Sequence, residues 1–142
     1  MYFCDMNNTR FSTAIHILTL LAMFPEEWMS SEYIAGSIGI NAVVVRREIS
    51  MLKKNNLIKS KQGKEGGCQL SKLPREIVLS DIFLHIQSAE ILGKKNRTAN
   101  PKCVVGRSIN QHLNTLSEQT NQVVIQFLGK QTLQDFVDNF KQ

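Results

Sequence analysis

Between residues 30 and 70, the order of the predicted elements limits the possible folds of this chain more than any other feature does. Ser30 and Ser31 are typical of a helix N-cap, and the apolar spacing after them predicts a helix over Glu32–Ile38. Gly39 ends that helix, and Asn41 is placed to cap a third helix over residues 42–55. Two short helices joined by a tight glycine-containing turn are the sequence form of a helix-turn-helix.

Two short strand-like runs follow the predicted third helix. Leu57–Lys61 and Cys68–Leu70 flank the glycine-rich stretch Gly63–Gly67, and this pattern predicts a β-hairpin. A hairpin directly after a helix-turn-helix is a wing. The sequence therefore predicts a mainly helical protein with a small β-hairpin wing, built on a winged helix-turn-helix.

Helical spacing also predicts elements on both sides of the winged segment. An amphipathic helix is predicted over Thr9–Phe24, and a short connector helix over Leu79–Ile86. A polar loop over residues 87–102 precedes a long helix over Val105–Leu128, which is roughly 36 Å at about 1.5 Å per residue. A small domain cannot cover such a helix alone, so we expect it to pack against a second copy of the chain.

A last helix is predicted after the long one. Thr132 and Asp135 resemble a capping box, with Asp in place of the usual Glu or Gln. The apolar residues expected to be buried in this helix are Leu133, Phe136, Val137 and Phe140.

Positive charge is concentrated in the third helix and the wing. The chain has a formal net charge of +5, but residues 41–75 hold nine lysines and arginines against Glu48 and Glu65, a net +7. The rest of the chain therefore carries −2. A basic surface on a winged fold is what binding to the DNA backbone requires. The alternative is a charged face that is merely solvated.

The candidate DNA contacts lie on both helices of the helix-turn-helix and on the wing. Recognition helices meet base edges with their N-terminal residues, so we expect Arg46 to bind a guanine and Arg47 to bind a phosphate. Asn41 is placed either to contact DNA or to act only as a helix cap. The full candidate set is Ser30, Ser31, Tyr33, Asn41, Ala42, Val43, Arg46, Arg47, Lys53, Lys61, Gln62 and Lys64.

Other classes of function have little support. The sequence has no phosphate loop, no nucleophile–base–acid order and no paired-carboxylate motif, so no catalytic residue and no enzyme are predicted. The longest apolar run, Ile15–Phe24, is about half of what a bilayer requires, and no signal-peptide pattern opens the chain. We therefore expect a cytoplasmic protein without a membrane partner. Either Met1 or Met6 is a plausible start.

These features divide the chain into three predicted segments. Residues 1–73 form a winged helix-turn-helix DNA-binding domain, residues 74–104 a connector helix and sensor loop, and residues 105–142 a helical dimerisation arm.

Six stretches of the sequence carry a resemblance to a known family. They are the opening helix Asn8–Leu18, the recognition-helix segment Val43–Arg47, the helix end and strand entry Leu52–Ile58, the wing Gly66–Leu70, the connector Leu79–Ile82 and the loop Pro101–Gly106. Together they resemble the Rrf2 family of winged helix-turn-helix regulators. The resemblance implies a homodimer joined by the long helix, and repression at a palindromic operator in double-stranded DNA.

Two departures from the family pattern bear on this expectation. Members that bind iron–sulfur clusters carry three cysteines in the loop before the long helix, whereas this chain has only Cys103 there. Cys68 in the wing and Cys4 near the N-terminus are poorly placed to substitute, so we expect no iron–sulfur cluster and no metal site. Gln62 stands where several members place an arginine for the minor groove, which leaves base readout by the wing open.

Cys103 is the remaining candidate sensor. Lys102 and the nearby start of the long helix are expected to lower the pKa of its thiol and favour a reactive thiolate. Our hypothesis is that oxidation of Cys103, or a disulfide across the dimer, moves the recognition helices apart. An inert cysteine and control by a small-molecule or protein effector remain alternatives. A winged protein–protein adaptor is the alternative to a DNA-binding regulator.

Overall fold

The chain folds into six helices and a two-stranded hairpin over the part that a computed structural model describes, residues 9–86 and 91–141. In order, these are α1 (Arg10–Met23), α2 (Ser31–Ile38), α3 (Ala42–Lys54), β1 (Ile58–Lys61), β2 (Gly67–Leu70), α4 (Leu79–Ile86), α5 (Ile109–Leu128) and α6 (Leu133–Val137). The predicted fold class, a winged helix-turn-helix with a long C-terminal helix, is confirmed. Cys4, the alternative starts at Met1 and Met6, and the stretch of the predicted loop over residues 87–90 lie outside the described residues.

Local side-chain caps fix the start of both helices of the helix-turn-helix. The Ser30 hydroxyl accepts a hydrogen bond from the Tyr33 N–H at 3.1 Å, and the Asn41 carboxamide oxygen accepts one from the Val43 N–H at 2.8 Å. Gly39 ends α2 with a φ of +82°, a left-handed conformation that a residue with a Cβ adopts only with strain. These residues set the turn between α2 and α3.

The wing is attached to the segment that precedes α2. Strands β1 and β2 pair antiparallel, with Lys61 opposite Gly67. On the other side of β2, Met29 pairs with Cys68 through two backbone hydrogen bonds of 3.1 and 2.8 Å. A Cβ on Gly67 would clash with the Met29 carbonyl group, so a larger residue would push the two segments apart. Met29 is therefore joined to the wing by a single isolated β-bridge.

The hydrophobic core joins the winged domain to the C-terminal helix. Ile17 and Leu18 of α1 are fully buried, and so are Leu133 and Val137 of α6. The backbone N–H of Leu133 donates to the Ile77 carbonyl at 2.8 Å, which ties α6 to the segment before α4. The capping box of Thr132 and Asp135 is confirmed at the start of α6. The final helix therefore returns to the winged core, while the division into three segments stays a prediction.

Two predictions about the C-terminal part were wrong. The long helix begins at Ile109 and not at Val105, and its 20 residues span about 30 Å. Val105 is exposed, so the chain before Ile109 has no apolar face to bury as a helix and forms hydrogen-bonded turns instead. Phe140 is 52% exposed, because the chain passes into a 3-10 turn over Asp138–Phe140 that removes this ring from the buried face of α6. No helix among the described residues is long and apolar enough to cross a membrane.

Candidate DNA-binding surface and sensor cysteine

The first turn of α2 and the middle of α3 are joined by a polar contact. The Arg46 guanidinium lies 3.2 Å from a carboxylate oxygen of Glu32 and 3.4 Å from the Ser31 hydroxyl. The structure thus brings together two predicted site residues, Ser31 and Arg46, and adds an acid that the sequence reading missed. Both side chains of the ion pair are exposed, and exposed ion pairs contribute little, so Arg46 can leave Glu32 at small cost.

A shallow depression of about 450 Å³ lies between the start of α2 and the tip of the wing. It brings together the predicted contacts Ser30, Tyr33 and Lys64. On β1 of the wing, the Ser60 hydroxyl accepts a hydrogen bond of 2.6 Å from the Lys53 ammonium, which links the end of α3 to β1. The candidate contacts of α2, α3 and the wing therefore belong to one connected surface.

The remaining candidates lie at the start of α3 and on the hairpin. Val43 and Arg47 are exposed on the first turns of α3. Ala42, the first residue of the helix, is half-buried. Asn41 has the capping role that the sequence allowed. Lys61, Gln62 and Lys64 are exposed on β1 and on the hairpin turn. Contact of these residues with DNA stays a prediction.

A tryptophan lies against two lysines of the wing. The Nζ atoms of Lys59 and Lys61 are 5.8 and 5.6 Å from the centroid of the Trp28 ring. The alternation of Lys59 and Lys61 along β1 is visible in the sequence. The position of Trp28 is not, because it depends on the long-range bridge between Met29 and Cys68.

Glu48 does not reduce the positive charge of the exposed surface, although the charge sum over residues 41–75 counted it there. It is 4% exposed and points into the protein, where one carboxylate oxygen lies 2.9 Å from Nε of Arg10. The same guanidinium donates to the Ile86 carbonyl at 3.2 Å. The other carboxylate oxygen of Glu48 is buried without a hydrogen-bond partner in the described part of the chain. Arg10 thus neutralises Glu48, and the exposed side of α3 is more positive than the sum of its charges indicates.

Cys103 is exposed in the turns that precede α5. Hydrogen bonds from the backbone N–H groups of Gly106 and Val105 stabilise its thiolate and lower the pKa of the thiol from its ordinary value. The sequence predicted the same direction from Lys102 and the helix N-terminus, but the helix starts six residues later and the turn supplies the donors. In contrast, burial raises the pKa of the Cys68 thiol to about 11.

We expect Cys103 to be alkylated by iodoacetamide faster than an ordinary thiol at neutral pH. Thiolate is the reacting form, so the rate rises with pH and levels off above the pKa. Because the pKa is lowered, the midpoint of this profile should lie below that of a cysteine-containing peptide measured alongside. The measurement uses a Cys4→Ser variant, with Cys4→Ser/Cys103→Ser as the control. A midpoint at or above that of the peptide, or an equal rate in the control, contradicts the assignment.

Comparison with known proteins assigns the chain to a family. The family model Rrf2, described as an iron-dependent transcriptional regulator, matches residues 7–139. The chain belongs to the Rrf2 family. Its relatives are named as transcription regulators or as a DNA-binding protein. This Rrf2 protein is likewise a DNA-binding transcription regulator and not an enzyme.

Three similar proteins illustrate the match. YwnA of Bacillus subtilis (strain 168), named as an HTH-type transcriptional regulator, is 38% identical over 94% of this chain and 98% of its own length. A crystal structure described as that of a DNA-binding protein is 37% identical, with a TM-score of 0.71, over 89% of this chain and 97% of that one. CymR, the global cysteine regulator of B. subtilis, shares the fold at 21% identity, with a TM-score of 0.68 over 92% and 95% of the two chains.

The family description raises the question of an iron site in this Rrf2 protein. Iron–sulfur clusters are held mainly by several cysteine thiolates. Among the residues that the structure describes, the loop before α5 holds Cys103 as its one thiol, and Cys68 is buried in the wing. No three His, Cys, Asp or Glu side chains come together in that part of the chain. These residues do not fit a cluster.

Proposed function

We propose that this Rrf2 protein is a homodimeric bacterial repressor that acts in the cytoplasm at a palindromic operator, with Cys103 as its redox switch and without an iron–sulfur cluster. The observation that carries the proposal is the connected basic surface formed by α2, α3 and the wing. In this arrangement the first turns of α3 enter the major groove, while the start of α2 and the wing bind the flanking backbone.

An exposed apolar stripe on α5 supports the homodimer. Leu116, Val123 and Phe127 are 51%, 66% and 64% exposed, and their spacing of seven and four residues places them on one face of the helix. A neighbouring face, about 100° around the helix from the stripe, packs against α4 and holds Ser117, the buried residue of α5. The stripe fits the same stripe of a second copy. A symmetric pair presents two recognition helices, which is why the operator is expected to be palindromic.

The proposed switch is the oxidation of Cys103. A peroxide oxidises the thiolate to a sulfenic acid, and the thiol of the second Cys103 then displaces water to form a disulfide. Over these two steps the two thiols lose two electrons and two protons, and the peroxide is reduced to water or an alcohol. Because Cys103 lies just before α5, a bond across the dimer changes the arm that sets the spacing of the recognition helices.

A second route of control is favoured by one cavity. A groove of about 530 Å³ between α1 and the C-terminal segment is lined largely by apolar side chains, among them Phe11, Ile15, Leu20 and Phe136. Its size and lining suit a small apolar effector.

Fluorescence anisotropy separates these possibilities. The DNA is the region upstream of the protein's own gene, and wild type and Cys103→Ser are compared in the reduced state and after mild peroxide treatment. We expect tight, salt-sensitive binding that oxidation releases in wild type alone. Binding that ignores the oxidant keeps the repressor and favours the effector. No binding to this DNA or to a pool of genomic fragments favours the adaptor.

Arg46 is expected to bind a base in the operator. Arg46→Ala should then raise the Kd for the operator by about 5- to 150-fold, since a bidentate arginine–guanine contact contributes about 1–3 kcal/mol, and should relax specificity at one position. Glu32→Gln is the matched variant and should lower the Kd, because it frees Arg46 and removes a negative charge near the backbone. An equal loss on all DNA sequences would instead make Arg46 a phosphate contact.

A further inference from the structure

We propose that Trp28 is a positioning residue for DNA binding, whose indole ring holds Lys59 and Lys61 as a paired cationic site for the phosphate backbone. The inference rests on the proposed function, and it adds to the DNA-binding surface two residues, Trp28 and Lys59, that the sequence pattern did not single out.

The geometry of the wing places the three side chains on one face. Lys59 and Lys61 alternate along β1, so both point to the same side of the hairpin. Their ammonium groups lie 5.8 and 5.6 Å from the centroid of the Trp28 ring, within the range of a cation–π contact. Gly67 stands opposite Lys61 on β2 and has no side chain to separate the ring from this lysine.

This face borders the proposed contacts of the helix-turn-helix. Trp28 lines the depression that also holds Ser30, Tyr33 and Lys64. The bridge between Met29 and Cys68 fixes the backbone next to Trp28 against β2, so the ring has a rigid base. The lysine pair therefore extends the basic surface from the start of α2 along the wing.

The Trp28 ring lowers the cost of bringing the two lysines together before they bind a phosphate. Exposed lysines repel each other and lose many rotamers when they bind a phosphate. A ring that both ammonium groups contact offsets the repulsion and restricts the side chains before DNA arrives, which lowers the cost of binding. A polyanionic strand with regularly spaced phosphates is the partner that such a fixed pair fits.

A double-mutant cycle on the operator tests the inference. We expect Trp28→Ala to raise the Kd by about three- to tenfold, and Trp28→Phe to keep most of the affinity because it keeps a ring. In a Lys59→Ala/Lys61→Ala background the same Trp28→Ala change should have little effect, because the ring then has no lysine to hold. In a Lys72→Ala background, which removes an exposed lysine at the other end of the hairpin, its effect should be undiminished.

The outcomes distinguish this inference from the proposed function. If wild type binds DNA and the effect of Trp28→Ala is unchanged in the double-lysine background, Trp28 acts only through folding and the inference fails while the repressor stands. If Trp28→Ala binds the operator with the Kd of wild type, the inference about Trp28 also fails while the repressor stands. If wild type binds no DNA, both fail. Trp28 is the sole tryptophan of the chain, so a change in its fluorescence emission when operator DNA is added gives an independent readout.

Discussion

Charged substitutions in the exposed stripe of α5 are expected to convert the protein into a monomer. Val123→Lys/Phe127→Lys places two like charges on the surface that the second copy would cover, and burying unpaired charges costs several kcal/mol. A monomer engages one half-site at a time, so we expect the Kd for the palindrome to rise by about 10²- to 10⁴-fold. Sedimentation velocity measures the mass of the particle, and anisotropy measures the Kd.

A matched variant controls for the added charge. Leu73 is also exposed but lies between β2 and α4, outside the α5 stripe, and Leu73→Lys should leave both the dimer and the Kd unchanged. Both variants should keep the helical circular dichroism of wild type, because the substituted side chains lie in water within one chain. A Val123→Lys/Phe127→Lys protein that stays dimeric contradicts the assignment of α5 as the dimer arm.

Removal of the Arg10 side chain is expected to produce the largest loss of stability among single substitutions outside the apolar core. Arg10→Met leaves the carboxylate of Glu48 buried with neither oxygen paired. Removing one partner of a buried ion pair lowers the free energy of unfolding by about 3–5 kcal/mol, and the partial exposure of Arg10 favours the lower end of this range. We expect the free energy of unfolding to fall by about 3 kcal/mol and the Tm by roughly 10 °C, measured by circular dichroism at fixed protein concentration.

The double variant Arg10→Met/Glu48→Leu identifies the cause of that loss. Replacing both partners of a buried ion pair by apolar residues is often neutral or stabilising, so most of the lost stability should return. Arg75→Met, which removes an exposed arginine, should change the free energy of unfolding by less than about 0.5 kcal/mol. A double variant as unstable as Arg10→Met would show that Arg10 stabilises the protein mainly through the Ile86 carbonyl.

Local chemistry explains why much of the fold was predictable. Ser30, Asn41 and Thr132 act on backbone groups two or three residues away, so the sequence reveals their capping roles directly. Gly39 and the glycine-rich hairpin turn likewise mark their positions without knowledge of the rest of the fold. For the candidate site, the same local signals located α3 and the wing and therefore the basic surface.

Features that depend on distant residues were not predictable in this way. From the sequence alone, Glu48 is expected to be a surface charge of α3. Only the packing of α1 against α3 shows that Arg10 neutralises it. Val105 continues the apolar spacing of α5, but its side chain has no neighbour to bury against, so the helix starts later. The contact of Trp28 with the wing likewise requires the bridge from Met29 to a strand 39 residues away.

A hydroxyl-radical footprint of the reduced protein, on the DNA upstream of its own gene or on the genomic fragment it enriches most, is the decisive test of a dimeric repressor. We expect two protected half-sites related by a dyad, centred about one helical turn or a multiple of it apart, and protection that weakens steeply as salt is raised. The absence of protection on every fragment at low salt would contradict this expectation.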